Sequence, residues 1–154
     1  MDEIEFANLV NKKRYQIFLF SSKLPFPFNF AVHTWIVSNK KGRINRWEVW
    51  QFKNMKKDSQ GHINRNLFSH SIGLKRFILG KKRWESVLLF KIEGLIAEKM
   101  IKFIEKEYSN YPYRNRYLYV PGPNSNTFIQ WILDKFPKSG LILPKNAIGK
   151  NYKI

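Results

Sequence analysis

A predicted helix start near the C-terminal end of the chain constrains the fold more than any other segment. Pro121-Gly122-Pro123 ends the element before it, and Asn124 is a residue type that caps helices well. An apolar stripe with helical spacing follows and continues to Pro137, which a helix interior cannot accommodate. Ser125 therefore falls in the first turn, where unpaired backbone N–H groups and the positive end of the helix dipole surround its hydroxyl.

The polar residues at this helix start allow two interpretations. Enzymes use a hydroxyl at such a position as a nucleophile, with backbone N–H groups of the first turn as an oxyanion hole. Ser125 is then the candidate nucleophile, and the N–H groups of residues 125–127 are the candidate oxyanion donors. Alternatively, Asn124, Ser125 and Asn126 only cap the helix, which is the common role of these residue types.

Two antiparallel strands joined by a tight turn are predicted over residues 28–38 and 44–52. The residues alternate in polarity, and a Lys-Gly pair between the strands suits a two-residue hairpin turn. With that turn, Trp35 lies opposite Glu48, and Glu48 becomes the diagonal neighbour of His33 on the same face. A carboxylate there can accept a proton from the imidazole and fix its tautomer. The pattern therefore predicts His33 as a candidate base that Glu48 orients.

The remaining periodicity predicts one α+β domain over residues 1–154, with a small antiparallel sheet packed on two main helices. The other predicted elements are strands over 14–20, 86–92 and 141–143, a helix from residue 93 or 94 to about Tyr108, and an aromatic connector over 111–120. Residues 1–13 are interpreted as an N-terminal extension. Residues 54–83 form a basic, insertion-like region.

The composition excludes several kinds of chemistry. The chain has 154 residues, of which 44% are apolar and 16% aromatic, so it can bury a genuine core. It contains no cysteine, which rules out disulfides, thiolate nucleophiles and Cys-ligated zinc or iron–sulfur sites. The acidic N-terminus is unlike a signal peptide, and the early apolar runs are too short to span a bilayer. We therefore expect a cytoplasmic protein.

The histidines make a poor metal site. There are three, without cysteine, a matched carboxylate cluster or the spacing of a zincin helix. We expect neither a metal nor another cofactor. His62 and His70 are expected at the surface of the basic region.

Basic residues outnumber acidic residues by 28 to 11, which gives a net charge of +17. The excess is concentrated between Lys40 and Arg83, where Glu48 and Asp58 are the acidic residues. It predicts an anionic partner, RNA, DNA or an anionic membrane surface, bound through residues 40–83. The alternative is that abundant Lys, Asn and Ile reflect an AT-rich genome. The sequence carries no helix-turn-helix, zinc-finger, RNP or P-loop signature.

Four segments, in a fixed order, resemble a bacterial family known only as domain of unknown function 3750. They are His33-Thr34-Trp35-Ile36, Glu48-Val49, Pro121-Gly122-Pro123-Asn124-Ser125-Asn126-Thr127-Phe128 and Leu143-Pro144-Lys145-Asn146-Ala147-Ile148-Gly149-Lys150. The likeness covers roughly residues 14–154. It implies an order of elements and no established activity.

The same residues are more distantly similar to circularly permuted papain-like domains, such as cell-wall peptidases and the lecithin–retinol acyltransferase group. Those domains carry a His on an early strand and a nucleophile in an Asn-Cys-x-x-Phe setting at a later helix start. Ser125 stands where the Cys would be. The resemblance implies that the two elements converge, so that His33 deprotonates Ser125 while Glu48 orients His33. The candidate substrate-binding residues are Trp35, Tyr113, Asn124, Asn126 and Thr127.

Three functions agree with the sequence. The first is a serine-based hydrolase or acyltransferase. The second is a catalytically silent relative that keeps the groove and binds a peptide, lipid or glycan. The third is a basic nucleic-acid-binding or ribonucleoprotein-associated protein.

Overall fold

The structure, a computed structural model, describes residues 1–78 and 81–153, with the side chains of residues 75–83 outside the description. Its elements are α1 (Glu3–Leu9), β1 (Tyr15–Lys23), β2 (Val32–Lys40), β3 (Arg43–Val49), β4 (Ile63–Arg65), β5 (Leu74–Ile78), β6 (Lys81–Glu85), β7 (Val87–Glu93), α2 (Leu95–Glu107) and α3 (Ser125–Asp134). Short 3-10 turns span Tyr108–Asn110 and Pro137–Ser139. The predicted α+β class is confirmed.

The main sheet has five antiparallel strands in the order β4-β3-β2-β1-β7, and β5 and β6 form a separate hairpin. The β2–β3 turn has the predicted register, with Ile36 opposite Trp47 and positive φ angles at Lys41 and Gly42. β2 begins at Val32, later than predicted, because the proline-rich residues 25–31 form successive turns instead of a strand.

Each face of the sheet has its own core. α2 and α3 cover one face, where their buried residues meet Ile17, Leu19, Val32 and Ile36. The helical residues of this core are Ala97, Met100, Ile101, Ile104, Phe128, Ile129, Ile132 and Leu133. α1 covers the other face, where Phe6 packs on residues that include Phe18, Phe20, Trp35 and Val37. The strand alternation predicted for β2 is therefore confirmed, because its odd and even positions enter different cores.

Sequence reasoning missed α1 in the supposed N-terminal extension. Asp2 caps this helix by accepting from the N–H of Glu5, whose carboxylate accepts from the N–H of Asp2 in return. The predicted strand over residues 141–143 is wrong, since this segment is irregular and its carbonyl at Leu143 accepts from Lys150 Nζ. Among the described residues, no helix is long and apolar enough to cross a membrane.

Candidate functional site

The first turn of α3 closes a gap at the edge of β2. The pairing of β2 with β3 begins at Ile36, so residues 32–35 of β2 have no partner strand on this side. Here the carbonyl of Thr34 accepts a 2.5 Å hydrogen bond from Ser125 Oγ, and the carbonyl of Val32 accepts a 2.8 Å bond from Asn126 Nδ2. Side chains of α3 thus replace the missing strand partner.

The other polar residues of this turn bind the segment that follows Leu143. Asn124 accepts from the N–H groups of Asn126 and Thr127, as predicted for the cap, and its Nδ2 donates to the carbonyl of Ile148 at 3.0 Å. Thr127 Oγ1 donates to the carbonyl of Gly149 at 2.7 Å. All four polar side chains from Asn124 to Thr127 are buried. Their hydrogen bonds to protein groups give them a structural role.

On the opposite face of β2, His33 and Glu48 form the predicted contact. His33 Nε2 lies 2.8 Å from Glu48 Oε2, and both side chains are buried. Arg46, two residues before Glu48 on β3, completes a buried network by donating from Nη2 to Glu48 Oε2 at 2.9 Å. Its Nε also lies 2.7 Å from Glu48 Oε1, which is an ion-pair distance, although neither atom forms a hydrogen bond.

Arg46 was missed in the sequence analysis. The period of two along β3 places it on the same face as Glu48, and that signal was available. Its guanidinium lies 4.2 Å from the ring centre of Trp35, and its Nη1 donates to the carbonyls of Ser69 and Ile72. Burial alone would raise the pKa of Glu48, but the charge of Arg46 and the hydrogen bond with His33 hold that pKa below its ordinary value. Glu48 is therefore ionised at neutral pH.

The ionised carboxylate fixes the tautomer of the neutral imidazole. Because Glu48 can only accept, His33 Nε2 carries a hydrogen, so in the neutral form of the ring the lone pair lies on Nδ1. Nδ1 has no hydrogen-bond partner among the described residues. It is the polar atom that His33 offers to a ligand.

His33 lies where two clefts meet to form one groove, defined by the shared lining residues Leu24, His33, Tyr117 and Tyr119. The first cleft also contains Asn124, Ser125 and Asn126. The second is aromatic, with a volume of about 1000 Å³ that includes open solvent. Its further walls are Pro25, Trp50, Gln51, Phe68, Gly73, Leu74 and Trp84. The lining residues described for the groove include no Asp, Glu, Lys or Arg.

The elements carrying His33 and Ser125 converge as predicted, but their side chains do not bond. Thr34 points toward α3, where its Oγ1 donates to Asn126 Oδ1 at 2.8 Å. His33 consequently points to the other face of β2, since successive side chains alternate. Both residues line the first cleft, yet within the described chain no hydrogen bond joins them.

Three residues predicted to bind substrate, Trp35, Tyr113 and Thr127, lie outside the groove lining. Trp35 is fully buried, stacks on Phe20 at 5.4 Å and donates from Nε1 to the carbonyl of His70. Tyr113 packs edge-on against Tyr111 and Tyr152. Apart from Trp84 on β6, the aromatic residues that do line the groove come from loops, where no periodic pattern distinguishes a groove wall from core packing.

Comparison with known proteins identifies the family. The family described as Protein of unknown function (DUF3750) matches residues 14–152. The chain belongs to this family. No curated protein and no solved structure matches it. The papain-like resemblance therefore stays a prediction.

The DUF3750 match includes β1 to β7, α2 and α3, and hence His33, Glu48 and Ser125, whereas α1 precedes it.

The predicted surface position of His62 is wrong. His62 is buried against Tyr117, because the loop before it folds back and the N–H of His62 donates to the carbonyl of Arg114. His70 is half-buried. Within the described part of the chain, no His, Cys, Asp and Glu cluster could hold a metal ion.

Part of the basic region of this DUF3750 domain is neutralised by ion pairs. Lys40 and Arg43 both contact Glu105, at 2.7 and 2.6 Å, and Arg65 pairs with Asp58 at 2.6 Å. The side chains of Lys75, Arg76, Lys81, Lys82 and Arg83 lie outside the described residues. A polyanion site over residues 40–83 stays a prediction.

Proposed function

We propose that this DUF3750 protein binds a lipid with an apolar chain and a free hydroxyl in the groove around His33, and that it does so without acylation of Ser125. The observation that carries the proposal is the position of the Ser125 hydroxyl. It donates to the carbonyl of Thr34, whereas His33, which lines the same cleft, is engaged with Glu48. The groove has the surface of a binding site, and its serine has a structural role.

The chemistry of the walls favours an apolar, uncharged ligand. Trp50, Phe68 and Trp84 lie in one cleft, and Tyr117 and Tyr119 lie in both. Burial raises the pKa of Tyr117 to about 12, so its hydroxyl is neutral at physiological pH. Aromatic walls with few polar groups are typical of sites for apolar ligands, and they offer no compensation for a buried charge.

His33 supplies the polar contact. With Nε2–H donating to Glu48, Nδ1 is an acceptor that suits a hydroxyl donor on the ligand. The buried Arg46–Glu48 pair keeps the imidazole in this orientation. A monoacylated glycerol combines such a hydroxyl with an apolar chain.

The environment of Ser125 argues against its use as a nucleophile. A serine hydroxyl is much less acidic than a thiol and needs a base within hydrogen-bond reach. Ser125 is 3% exposed and bonds to the Thr34 carbonyl at 2.5 Å. Attack would require breaking this bond and moving the hydroxyl toward His33.

The proposal is tested by lipid titration monitored by tryptophan fluorescence, since Trp50 and Trp84 line the groove. Monooleoylglycerol should give a saturable change and bind about tenfold more tightly than methyl oleate, which lacks the hydroxyl. Leu24→Arg, within the groove, should abolish the change. The control Leu95→Arg, at the exposed start of α2, should leave it intact. Absence of saturation with both lipids, or equal behaviour of the two variants, would refute lipid binding.

A second candidate function is serine-based acyl transfer. It is favoured by the 2.8 Å contact between His33 and Glu48, which is the arrangement of an oriented base, and by the cleft that His33 shares with Ser125. Fluorophosphonate labelling separates the two functions. Our proposal expects no labelling of the wild type, and an ordinary alkylation rate for the thiol of Ser125→Cys. Labelling that disappears in Ser125→Ala would establish the enzyme instead.

A further inference from the structure

Exposed apolar side chains surround the mouth of the first cleft. We define the rim as the two loops over residues 25–31 and 118–121. Phe26 is 88% exposed and Phe30 61% exposed, and Tyr119 and Val120 are each more than half exposed. Such a concentration of exposed large apolar residues marks an interaction surface.

The two loops form one surface. The rings of Phe28 and Tyr119 stack with centres 6.2 Å apart and nearly parallel planes. Phe28, Phe30, Tyr119 and Val120 all line the cleft that contains Ser125. The rim therefore presents its aromatic edges together at the entrance to the groove.

In sequence, the segments around the two rim loops carry charge of one sign. Residues 14–47 and 108–133 contain no Asp or Glu, and neither do residues 135–154. Exposed Lys23 and Arg116 lie just before the two rim loops in sequence. Exposed Lys145 is next to Asn146, whose carbonyl accepts from the N–H of Val32 directly after the first loop. Within the described residues, none of these three basic side chains forms a salt bridge.

We propose that the rim docks on the surface of an anionic phospholipid bilayer. The exposed Phe and Tyr side chains would enter the interfacial layer, while Lys23, Arg116 and Lys145 would contact the anionic headgroups. Charge complementarity selects this occupant, because a net charge of +17 opposes association with a second copy of the chain. The orientation turns the groove entrance toward the bilayer. The inference does not depend on what the groove binds.

The test is co-sedimentation of the full chain with vesicles. Phosphatidylcholine vesicles containing phosphatidylglycerol should bind the protein, and vesicles of phosphatidylcholine alone should bind it much less. The double variant Phe26→Ser/Phe30→Ser should lower the partition coefficient by about tenfold or more. The control Ile4→Ser/Leu95→Ser, which changes exposed apolar residues outside the rim, should not. Melting temperatures of both double variants close to that of the wild type would show that both fold.

Charge is tested by variants that change the net charge equally. Lys23→Gln/Arg116→Gln/Lys145→Gln should weaken binding by about tenfold or more, and Lys13→Gln/Lys57→Gln/Lys138→Gln should weaken it far less. Equal loss in the two triple variants would overturn the proposal in favour of unspecific attraction. RNA binding that Phe26→Ser/Phe30→Ser leaves unchanged, without any binding to vesicles, would also overturn the proposal. So would a dimer of the wild-type chain that the same substitutions dissociate. Monooleoylglycerol titration of the same variants distinguishes failure at the rim from failure of the groove.

Discussion

Ser125 Oγ and the carbonyl oxygen of Thr34 are joined by a 2.5 Å hydrogen bond across 91 residues of sequence. Asn126 strengthens the same junction through Thr34 and Val32. The first turn of α3 is therefore part of the sheet edge as well as the start of a helix. The polar residues that suggest chemistry in the sequence hold the start of α3 against β2.

Asn126→Ala should destabilise the domain strongly. The side chain accepts from Thr34 and donates to the carbonyls of Val32 and Ile148, all at 2.8 Å. At about 1 kcal/mol for each hydrogen bond, the free energy of unfolding should fall by roughly 3 kcal/mol. Chemical denaturation measures this loss. The exposed Asn115→Ala provides a control, and an equal change in the two variants would contradict the structural role of Asn126.

Gly149→Ala should be more harmful than Gly140→Ala, although both glycines have positive φ angles, +93° and +71°. A Cβ at Gly149 would lie 2.4 Å from Asn124 Nδ2, whereas a Cβ at Gly140 would meet no atom within 4 Å. Gly140→Ala, the control, should lose about 1 kcal/mol of unfolding free energy from backbone strain alone. Gly149→Ala should lose clearly more. Similar melting temperatures for the two variants would contradict the close packing at Asn124.

Local signals were sufficient to predict part of the fold. A two-residue turn and strict alternation set the register of β2 and β3, and with it the contact between His33 and Glu48. The cap at Asn124 set the start of α3. These features depend on residues close together in sequence, where backbone geometry leaves few alternatives.

Features that depend on distant contacts could not be predicted. The alternation of β2 directs the side chain of Thr34 toward α3 and that of His33 away from it. Only the assembled structure shows that the Ser125 hydroxyl donates to the Thr34 carbonyl. The groove is likewise built from loops far apart in sequence, such as those that carry Leu24, Trp50 and Tyr119. Burial of His62 follows from a loop that folds back onto Arg114.

Tyr111→Phe should leave stability unchanged or increase it by up to about 1 kcal/mol. The Tyr111 hydroxyl is buried without a hydrogen-bond partner among the described residues, and burial raises the pKa of this phenol above its ordinary value. Removing an unpaired buried hydroxyl removes its desolvation cost. The ring would keep its contacts with Phe128 and Trp131. A loss of more than about 1 kcal/mol in chemical denaturation would reveal a hydroxyl contact that the structure lacks.

His62 should titrate below the ordinary histidine pKa of 6.5. Burial lowers its pKa, and the hydrogen bond to the carbonyl of Trp50 only partly opposes this effect. A histidine with a lowered folded pKa binds fewer protons than its unfolded form, so its contribution to stability is lost as pH falls below 6.5. NMR titration of the imidazole resonance measures the pKa directly. A midpoint at or above 6.5 would contradict the buried position.

Glu48→Gln should cost about 3–5 kcal/mol of unfolding free energy at neutral pH, because it leaves the charge of buried Arg46 without its partner. The pKa of Glu48 is lowered from 4.5 in the folded state, so the stabilisation is fully present above pH 4.5 and is lost as pH falls through the folded pKa. Once protonated, the wild-type side chain resembles Gln in shape and charge. The difference between wild type and variant should therefore shrink in acid, as chemical denaturation at several pH values would show.

The surface pair of Asp58 and Arg65 provides the control for this experiment. Both side chains are more than one-third exposed, so Asp58→Asn should change the free energy of unfolding by at most about 1 kcal/mol. A loss in Asp58→Asn as large as that in Glu48→Gln would mean that burial does not set the strength of the Arg46 pair. A difference between wild type and Glu48→Gln that persists at low pH would mean that Glu48 is not ionised in the folded protein. The second outcome would remove the physical basis for a His33 ring held in one tautomer.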